Sequence, residues 1–277
     1  MPGMQEASVT TRSTIGQRPA KNALFDGFAA VANGRRVKII ELLAQGERSV
    51  EHIADSIDQS VANTSHHPEV ARTVLNPRIG EAIAALAGWP GTRVIQDNVL
   101  WKPMGARSVG YHRDNQYLAW FAPREMYTCW IALDDTTEVG GTLEFARGSH
   151  KWPTEDGPLP QFHVPEDYRA PVNAAAFEQG QNVDIAHVEV SPGAGSFHHG
   201  WTWHGSGPNH SFGDRRALVI HCASSEATFD RDGMQLGTGP IYTRYAHLTD
   251  DVMDENYFPI TWTTDGYRTP GLPGSDD

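Results

Sequence analysis

Three polar side chains in this sequence could share one small cation: His112, Asp114 and, far along the chain, His204. His112 and Asp114 stand two apart in a segment rich in β-forming residues. Side chains alternate faces along a strand, so this pair would share one face. A single His-x-Asp is common by chance. Its weight comes from a second piece, HHGWTWHGSGPNHSFGDRRALVIHC, which supplies His204 with Arg215 eleven positions beyond it. Two imidazoles and one carboxylate leave coordination positions open, the facial arrangement of non-haem Fe(II) oxygenases. A closed four-thiolate site is excluded, because the chain has only two cysteines. His198, His199 and His210 are rivals to His204. His198 and His199 would alternate faces on one strand, so at most one points inward, as a core group or as support for a ligand.

The combination of YHRDN, WIALDD, GGTLEFARGSHKW, HGSGPNHS and RRAL resembles the phytanoyl-CoA dioxygenase family, over roughly Asn76 to Cys222. The resemblance implies a mainly β fold with flanking helices, built on a double-stranded β-helix (a jelly-roll or cupin-like core). It implies dependence on Fe(II), 2-oxoglutarate and dioxygen, with His112, Asp114 and His204 as the metal ligands. Arg215 would hold the far carboxylate of 2-oxoglutarate, since a planar guanidinium can offer two parallel hydrogen bonds where a lysine cannot. Ser206 matches the family position that assists this arginine, and Thr142 could do the same from the GGTLEF strand. Gln96 and Lys102 are further candidates, on a strand that in the family lies near the co-substrate. Trp130 and Trp203 would pack around the cofactor. The implied reaction couples decarboxylation of 2-oxoglutarate to succinate with hydrogen-atom abstraction from an unactivated carbon; hydroxylation, epimerisation, desaturation and ring closure all remain open. Halogenation is disfavoured, because related halogenases lack the carboxylate that Asp114 provides. Tyr117, Trp120, Phe121 and Met126 follow the His-x-Asp strand and could line a mouth for a flat or apolar small molecule. With no basic cluster to grip coenzyme A, a natural-product tailoring role is the favoured reading. A ligand-sensing regulator and a cupin-type metal enzyme that does not use 2-oxoglutarate are the alternatives.

Size and charge agree with an enzyme. The chain has 277 residues, 39% hydrophobic, which allows a substantial core. A net charge of −12 argues against nucleic acid or an anionic membrane as the main partner. No apolar run reaches the roughly 18–20 residues of a membrane helix, and the first residues lack an apolar signal core. Cys129 and Cys222 lie in apolar strand-like runs and read as buried free thiols. The expectation is a cytoplasmic protein acting on a small molecule, as a monomer or homodimer.

The elements that position these residues follow in order. Residues 1–20 read as a polar tail and 21–75 as a helical segment. Within it GRRVKIIELLAQGERSVEHIADSIDQSVANTSHH resembles part of an ArsR-type helix-turn-helix regulator. DNA binding is disfavoured there: Ser60 to His67 holds no Lys or Arg, and residues 1–70 carry seven basic against eight acidic side chains. The expected role is packing on the β-core. Residues 76–265 form the expected jelly-roll domain. A helix covers part of Pro68 to Trp89, with Ile79, Ile83 and Leu86 on its buried face. Strands are expected at Thr92–Lys102, Met126–Leu133, Thr142–Ala146, Val183–Val190, Ser196–His199 and Arg215–Ala223. Residues 153–181 are too long and polar for a hairpin and read as a lid bordering the site. Residues 266–277 read as a loose tail.

Overall fold

The computed structural model describes residues 68–154 and 166–273. The tail expected at 1–20, the helix-turn-helix-like stretch and residues 155–165 of the expected lid lie outside these residues.

Two short helices come first, α1 (Pro68–Val74) and α2 (Pro77–Ala87). Pro77 can open α2 because the first helical turn has no internal use for its missing N–H. Asn76 caps that turn by accepting from the Arg78 amide at 2.9 Å. Eleven strands follow among the described residues. Of these, β1 (Gly91–Lys102), β4 (Tyr127–Ala132), β7 (Gly195–His199), β9 (Arg215–Ser224) and β11 (Ile260–Thr263) form a five-stranded sheet in the order β11-β1-β9-β4-β7. Facing it is a four-stranded sheet in the order β2-β8-β5-β6, made from β2 (Val109–His112), β5 (Leu143–Ala146), β6 (Ile185–His187) and β8 (His204–Ser206). A small pair, β3 (Phe121–Ala122) with β10 (Thr228–Phe229), stands apart. Sequence-distant strands pair antiparallel throughout both large sheets, which gives the jelly roll its two layers.

The outer face of the large sheet is apolar and is covered by α1 and α2: Val74, Leu75 and Ile83 pack on Val94, Cys129, Leu218, Ile220 and Cys222. Both cysteines are buried free thiols there, as expected. The expected helix face is only partly right, since Ile83 is buried but Leu86 is 56% exposed. A second apolar cluster closes one end of the sandwich. Trp120, Phe121 and Met126 sit in it with Phe229, Tyr242 and Phe258, and Trp120 stacks on Tyr242 at 4.0 Å.

Two parts departed from expectation. The strand β11 was not legible, and the residues following it are not loose: Arg268 donates to the carbonyls of Thr261, Leu75 and Pro273, and the Thr269 amide donates to the Ile260 carbonyl. In β1 a bulge lies between Val94 and Gln96. It sends Val94 to the outer face with Cys222 while Gln96 turns inward beside His221, so the simple alternation expected for this strand breaks there.

Within the stretch expected to be a lid, the described part of the chain runs through Tyr168 and Arg169 into a further helix, Ala170–Glu178. It is anchored on Glu144 of β5, whose carboxylate is buried. Tyr111 and Tyr168 donate their hydroxyls to it at 3.0 and 3.1 Å, and Arg169 adds two bonds at 2.8 and 3.1 Å. Removing the arginine leaves a buried carboxylate short of its strongest donors. Arg169→Met is therefore expected to lower the urea midpoint by the equivalent of about 1–3 kcal/mol, less than a fully buried pair because the arginine is partly exposed. An unchanged midpoint would show that the two tyrosines suffice.

Candidate metal centre and anion pocket

β2 and β8 lie side by side with His112 directly opposite His204, so both imidazoles project from the same face. Asp114 begins the short turn of helix that follows β2. The backbone thus brings together three residues that the sequence separates. His112 Nε2 lies 3.6 Å and His204 Nε2 lies 3.4 Å from the same oxygen, Asp114 Oδ1. One ligand atom from each of the three lies within 4.8 Å of the others, and all three residues are buried. The other ring nitrogens face the chain's own carbonyls: His112 Nδ1 is 2.8 Å from Gly110 O and His204 Nδ1 is 2.9 Å from Thr202 O. A carbonyl only accepts, so each Nδ1 carries a proton, which leaves Nε2 as the atom of each ring that can ligate a cation. Two imidazole lone pairs and a carboxylate converging in the interior fit a divalent cation and leave its remaining positions free.

With no cation in place the carboxylate and the rings stabilise one another: Asp114 raises His204 against the effect of burial. Burial works against the Asp114 charge, but His204, His112 and His198 hold its carboxyl well below the usual range. Burial lowers His112, and His204 lowers it further.

At the other end of the inward face stand two cations. Lys102 and Arg215 are directly opposite each other across β1 and β9, and both are buried. Arg215 Nη2 donates to the Gly141 carbonyl at 2.9 Å, while its Nε has no partner among the described residues. Its guanidinium lies 5.8 Å from the Trp130 ring. Gly141 allows this close packing. Its φ is +65°, and a Cβ there would fall 2.5 Å from the Gly207 carbonyl oxygen. Burial lowers Arg215 to about 10. Burial, then the neighbouring Arg215, lowers Lys102 to about 7, even though its ammonium donates to the carbonyl of Gly207.

Along this face lie buried polar side-chain atoms without protein partners. Trp130 Nε1, Ser196 Oγ and Gln96 Oε1 are all of this kind. Trp130 pairs with Ser196 across β4 and β7, and Gln96 with His221 across β1 and β9, so all belong to one inward face. Buried polar groups rarely stay unpaired in a folded protein, and several of them on one face mark a ligand's place. Trp130 is two residues from Thr128, whose hydroxyl touches Asp114. Two residues along a strand span about 7 Å, close to the length of a five-carbon dicarboxylate.

The other candidates fall as follows. Ser206 is buried one alternation beyond His204 on β8, and its carbonyl lies 3.5 Å from Lys102 Nζ. Thr142 is fully buried and spends its hydroxyl proton on the Val188 carbonyl, so it closes the sandwich instead of holding a carboxylate. Tyr117 lies beside the centre, its ring 5.7 Å from that of His112. Trp120, Phe121 and Met126 are fully buried core residues and do not line a mouth. The cavity beside the metal centre lies elsewhere. Its volume is about 270 Å³, and Phe145, His198, Tyr127, Phe197, His150 and Leu86 are among its walls. His198 Nε2 is 3.4 Å from Asp114 Oδ2, and the Phe145 ring is 6.4 Å from that of His204. Thr128 and His221, which touch Asp114 from beneath, were missed. Nothing in their local sequence distinguishes them; only the strand register does.

A jelly roll with an inward-facing His-x-Asp…His group and a buried arginine behind it defines a class, the double-stranded β-helix metalloproteins. Within that class the chain belongs to the phytanoyl-CoA dioxygenase family, whose profile, "Phytanoyl-CoA dioxygenase (PhyH)", matches residues 26–217. Iron and 2-oxoglutarate are the family's cofactors, and the donor set described above fits both. A "Probable phytanoyl-CoA dioxygenase" of Caenorhabditis elegans is 33% identical over 120 residues, 42% of this chain and 36% of that protein. The chain thus spans little more than a third of that relative's length. The crystal structure of the "non-heme alpha ketoglutarate dependent carbocyclase SnoK from nogalamycin biosynthesis" superposes with a TM-score of 0.54 at 26% identity, covering 70% of this chain and 71% of that one. A stretch of 54 residues is 48% identical to the "HTH-type transcriptional regulator Rv0324" of Mycobacterium tuberculosis, 24% of that protein. Among the described residues no helix is long and apolar enough to cross a membrane.

The depressed Lys102 ammonium has a consequence for stability. Its folded value, about 7, lies below the ordinary 10.5. The unfolded chain therefore binds more protons at this amine between those two values, and wild-type stability rises with pH across that window. Below pH 7 the full cost of the buried charge remains. Lys102→Met is expected to be more stable than wild type near pH 7, with the gap closing as pH approaches 10. Thermal melts of both proteins without added ligand check this; a gap independent of pH would contradict it.

Proposed function

We propose that this protein is an Fe(II)- and 2-oxoglutarate-dependent oxygenase that acts on an unactivated C–H bond of a small molecule, in the tailoring of a bacterial natural product. The observation that carries the proposal is the convergence of His112, Asp114 and His204 at one end of a polar inward face and Arg215 at the other. In this reading the two Nε2 atoms and Asp114 Oδ1 hold the iron. When bound, the iron with 2-oxoglutarate and dioxygen supplies the oxidising power for hydrogen abstraction.

The chain's own residues do the rest. Arg215, with its free Nε, grips the far carboxylate of the co-substrate, and Lys102 and Ser206 complete that anchor. Trp130 Nε1 and Ser196 Oγ offer further polar contacts along its length. The apolar walls around Phe145 and Phe197 admit an apolar or aromatic substrate and exclude water from the reacting carbon. The likeness to a carbocyclase of antibiotic biosynthesis supports natural-product tailoring, with ring closure, epimerisation and hydroxylation all open. A cytoplasmic monomer or homodimer, without nucleic acid as partner, is part of the same proposal. The regulator match supports a second reading, in which the N-terminal stretch contacts DNA; the lack of a basic face there weighs against it.

Anaerobic addition of Fe(II) and 2-oxoglutarate is expected to give the weak visible charge-transfer band of an iron–keto acid chelate. Succinate should then form only when oxygen is admitted. His112→Ala, Asp114→Ala and His204→Ala should each lose both the band and iron retention. Arg215→Lys keeps the charge but loses one of two bonds to the carboxylate, and should raise the KM for 2-oxoglutarate about 10- to 100-fold, the worth of one charge-assisted hydrogen bond. Succinate released by Arg215→Lys at an unchanged KM would refute the carboxylate assignment.

A further inference from the structure

Asp114 is approached differently at its two oxygens. Oδ1 faces His112 Nε2 and His204 Nε2. Oδ2 faces the large sheet. There it accepts the Thr128 hydroxyl at 3.0 Å, lies 3.4 Å from His198 Nε2, and lies 3.8 Å from His221 Nδ1. These three partners come from three adjacent strands. Thr128 is directly opposite His198 on β7 and directly opposite His221 on β9, so they form one row across the sheet.

The hydrogen atoms in this row can be assigned. Thr128 Oγ1 is 2.9 Å from His221 Nδ1 and 3.0 Å from Asp114 Oδ2. A hydroxyl has one proton, and a carboxylate can only accept. Thr128 must therefore donate to Asp114 and accept from a protonated His221 Nδ1. The sheet thus delivers a directed donor chain, His221 to Thr128 to Asp114, onto one oxygen only. His221, Thr128 and Asp114 are all buried, which limits competition from water.

We propose that Thr128, set by His221 and seconded by His198, is a positioning residue that keeps Asp114 a one-oxygen ligand. A carboxylate free to rotate can bind a cation through both oxygens and so occupy a fourth coordination position. A keto acid needs two positions and dioxygen a third, and a facial site has only three to give. Occupying Oδ2 from the sheet side leaves Oδ1 alone for the metal and keeps all three open. Such outer partners of a ligand are typically worth about 10- to 100-fold in metal affinity.

This inference rests on the reading of His112, Asp114 and His204 as ligands, and the test separates the two. Apo-protein is titrated with Co(II) alone, reading both the dissociation constant and the ligand-field absorption, which reports coordination number. Thr128→Val is close in shape but lacks the donor. It should change the Co(II) affinity about 10-fold or more and alter the spectrum as the freed Oδ2 takes a coordination position, and Thr128→Ser should restore both. His221→Phe removes the donor behind Thr128, and should shift affinity and spectrum in the same direction. It serves as the independent variant should Thr128→Val not fold. Folded Thr128→Val or His221→Phe with wild-type affinity and spectrum overturns the proposal, as does a defect that Thr128→Ser fails to rescue. If wild type takes up no Co(II), or His112→Ala takes it up equally well, the ligand assignment itself fails and the proposal falls with it.

Discussion

A buried carboxylate governs this structure. Asp114 lies in the interior with three imidazoles within 3.6 Å of its oxygens and a fourth at 3.8 Å. Carrying a charge out of water costs several kcal/mol, and only converging partners offset it. The partners here belong to both layers of the sandwich: His112 and His204 from the small sheet, His198, Thr128 and His221 from the large one. The two sheets therefore meet at this carboxylate, and their spacing is set by groups that can reach it. The apolar clusters on either side give the sandwich its bulk stability, but they do not choose this alignment. A row of three polar side chains from adjacent strands does so, because each must find the same oxygen.

How much of this was legible in the sequence depends on whether the information was local. The alternation that turns Arg215 inward and Arg216 outward and the limits of most strands follow from period-two patterning; His112 and Asp114 do come together, but Asp114 opens the helical turn after β2 and is not on the strand with His112. Arg216 indeed pairs on the outside with Asp134, through bonds of 2.6 and 2.9 Å. What failed was what depends on register or on distant backbone. The bulge at Val94 and Gln96 shifts half of β1 by one residue, and no local pattern announces it. Thr128 and His221 acquire meaning only once β4 and β9 are aligned. Trp120, Phe121 and Met126 are aromatic or soft apolar side chains next to a metal motif, which suits a binding mouth as well as a core; their burial decides for the core. The last strand and the segment after it are held largely by backbone and arginine contacts to residues far earlier in the chain, which composition does not encode.

The inward face is also a statement about charge. One end gathers imidazoles around an anion, and the other holds two buried cations, Lys102 and Arg215; burial lowers both, and Arg215 lowers Lys102 further. Neither end is at ease alone. A dication at the first end and a dianion spanning to the second would satisfy both while adding no net charge to the interior. Either one alone would change the buried charge by two, in a medium where that is expensive. The physical consequence is linkage: each ligand makes the other's burial cheaper, so metal and diacid favour each other's binding. The same reasoning explains why the polar atoms along this face are left unpaired. Internal hydrogen bonds there would compete with the ligand for the same donors and weaken the coupling between the two charged ends. Under the proposed function, the partner missing from Arg215 Nε, Trp130 Nε1 and Ser196 Oγ is supplied by a ligand with a carboxylate at each end.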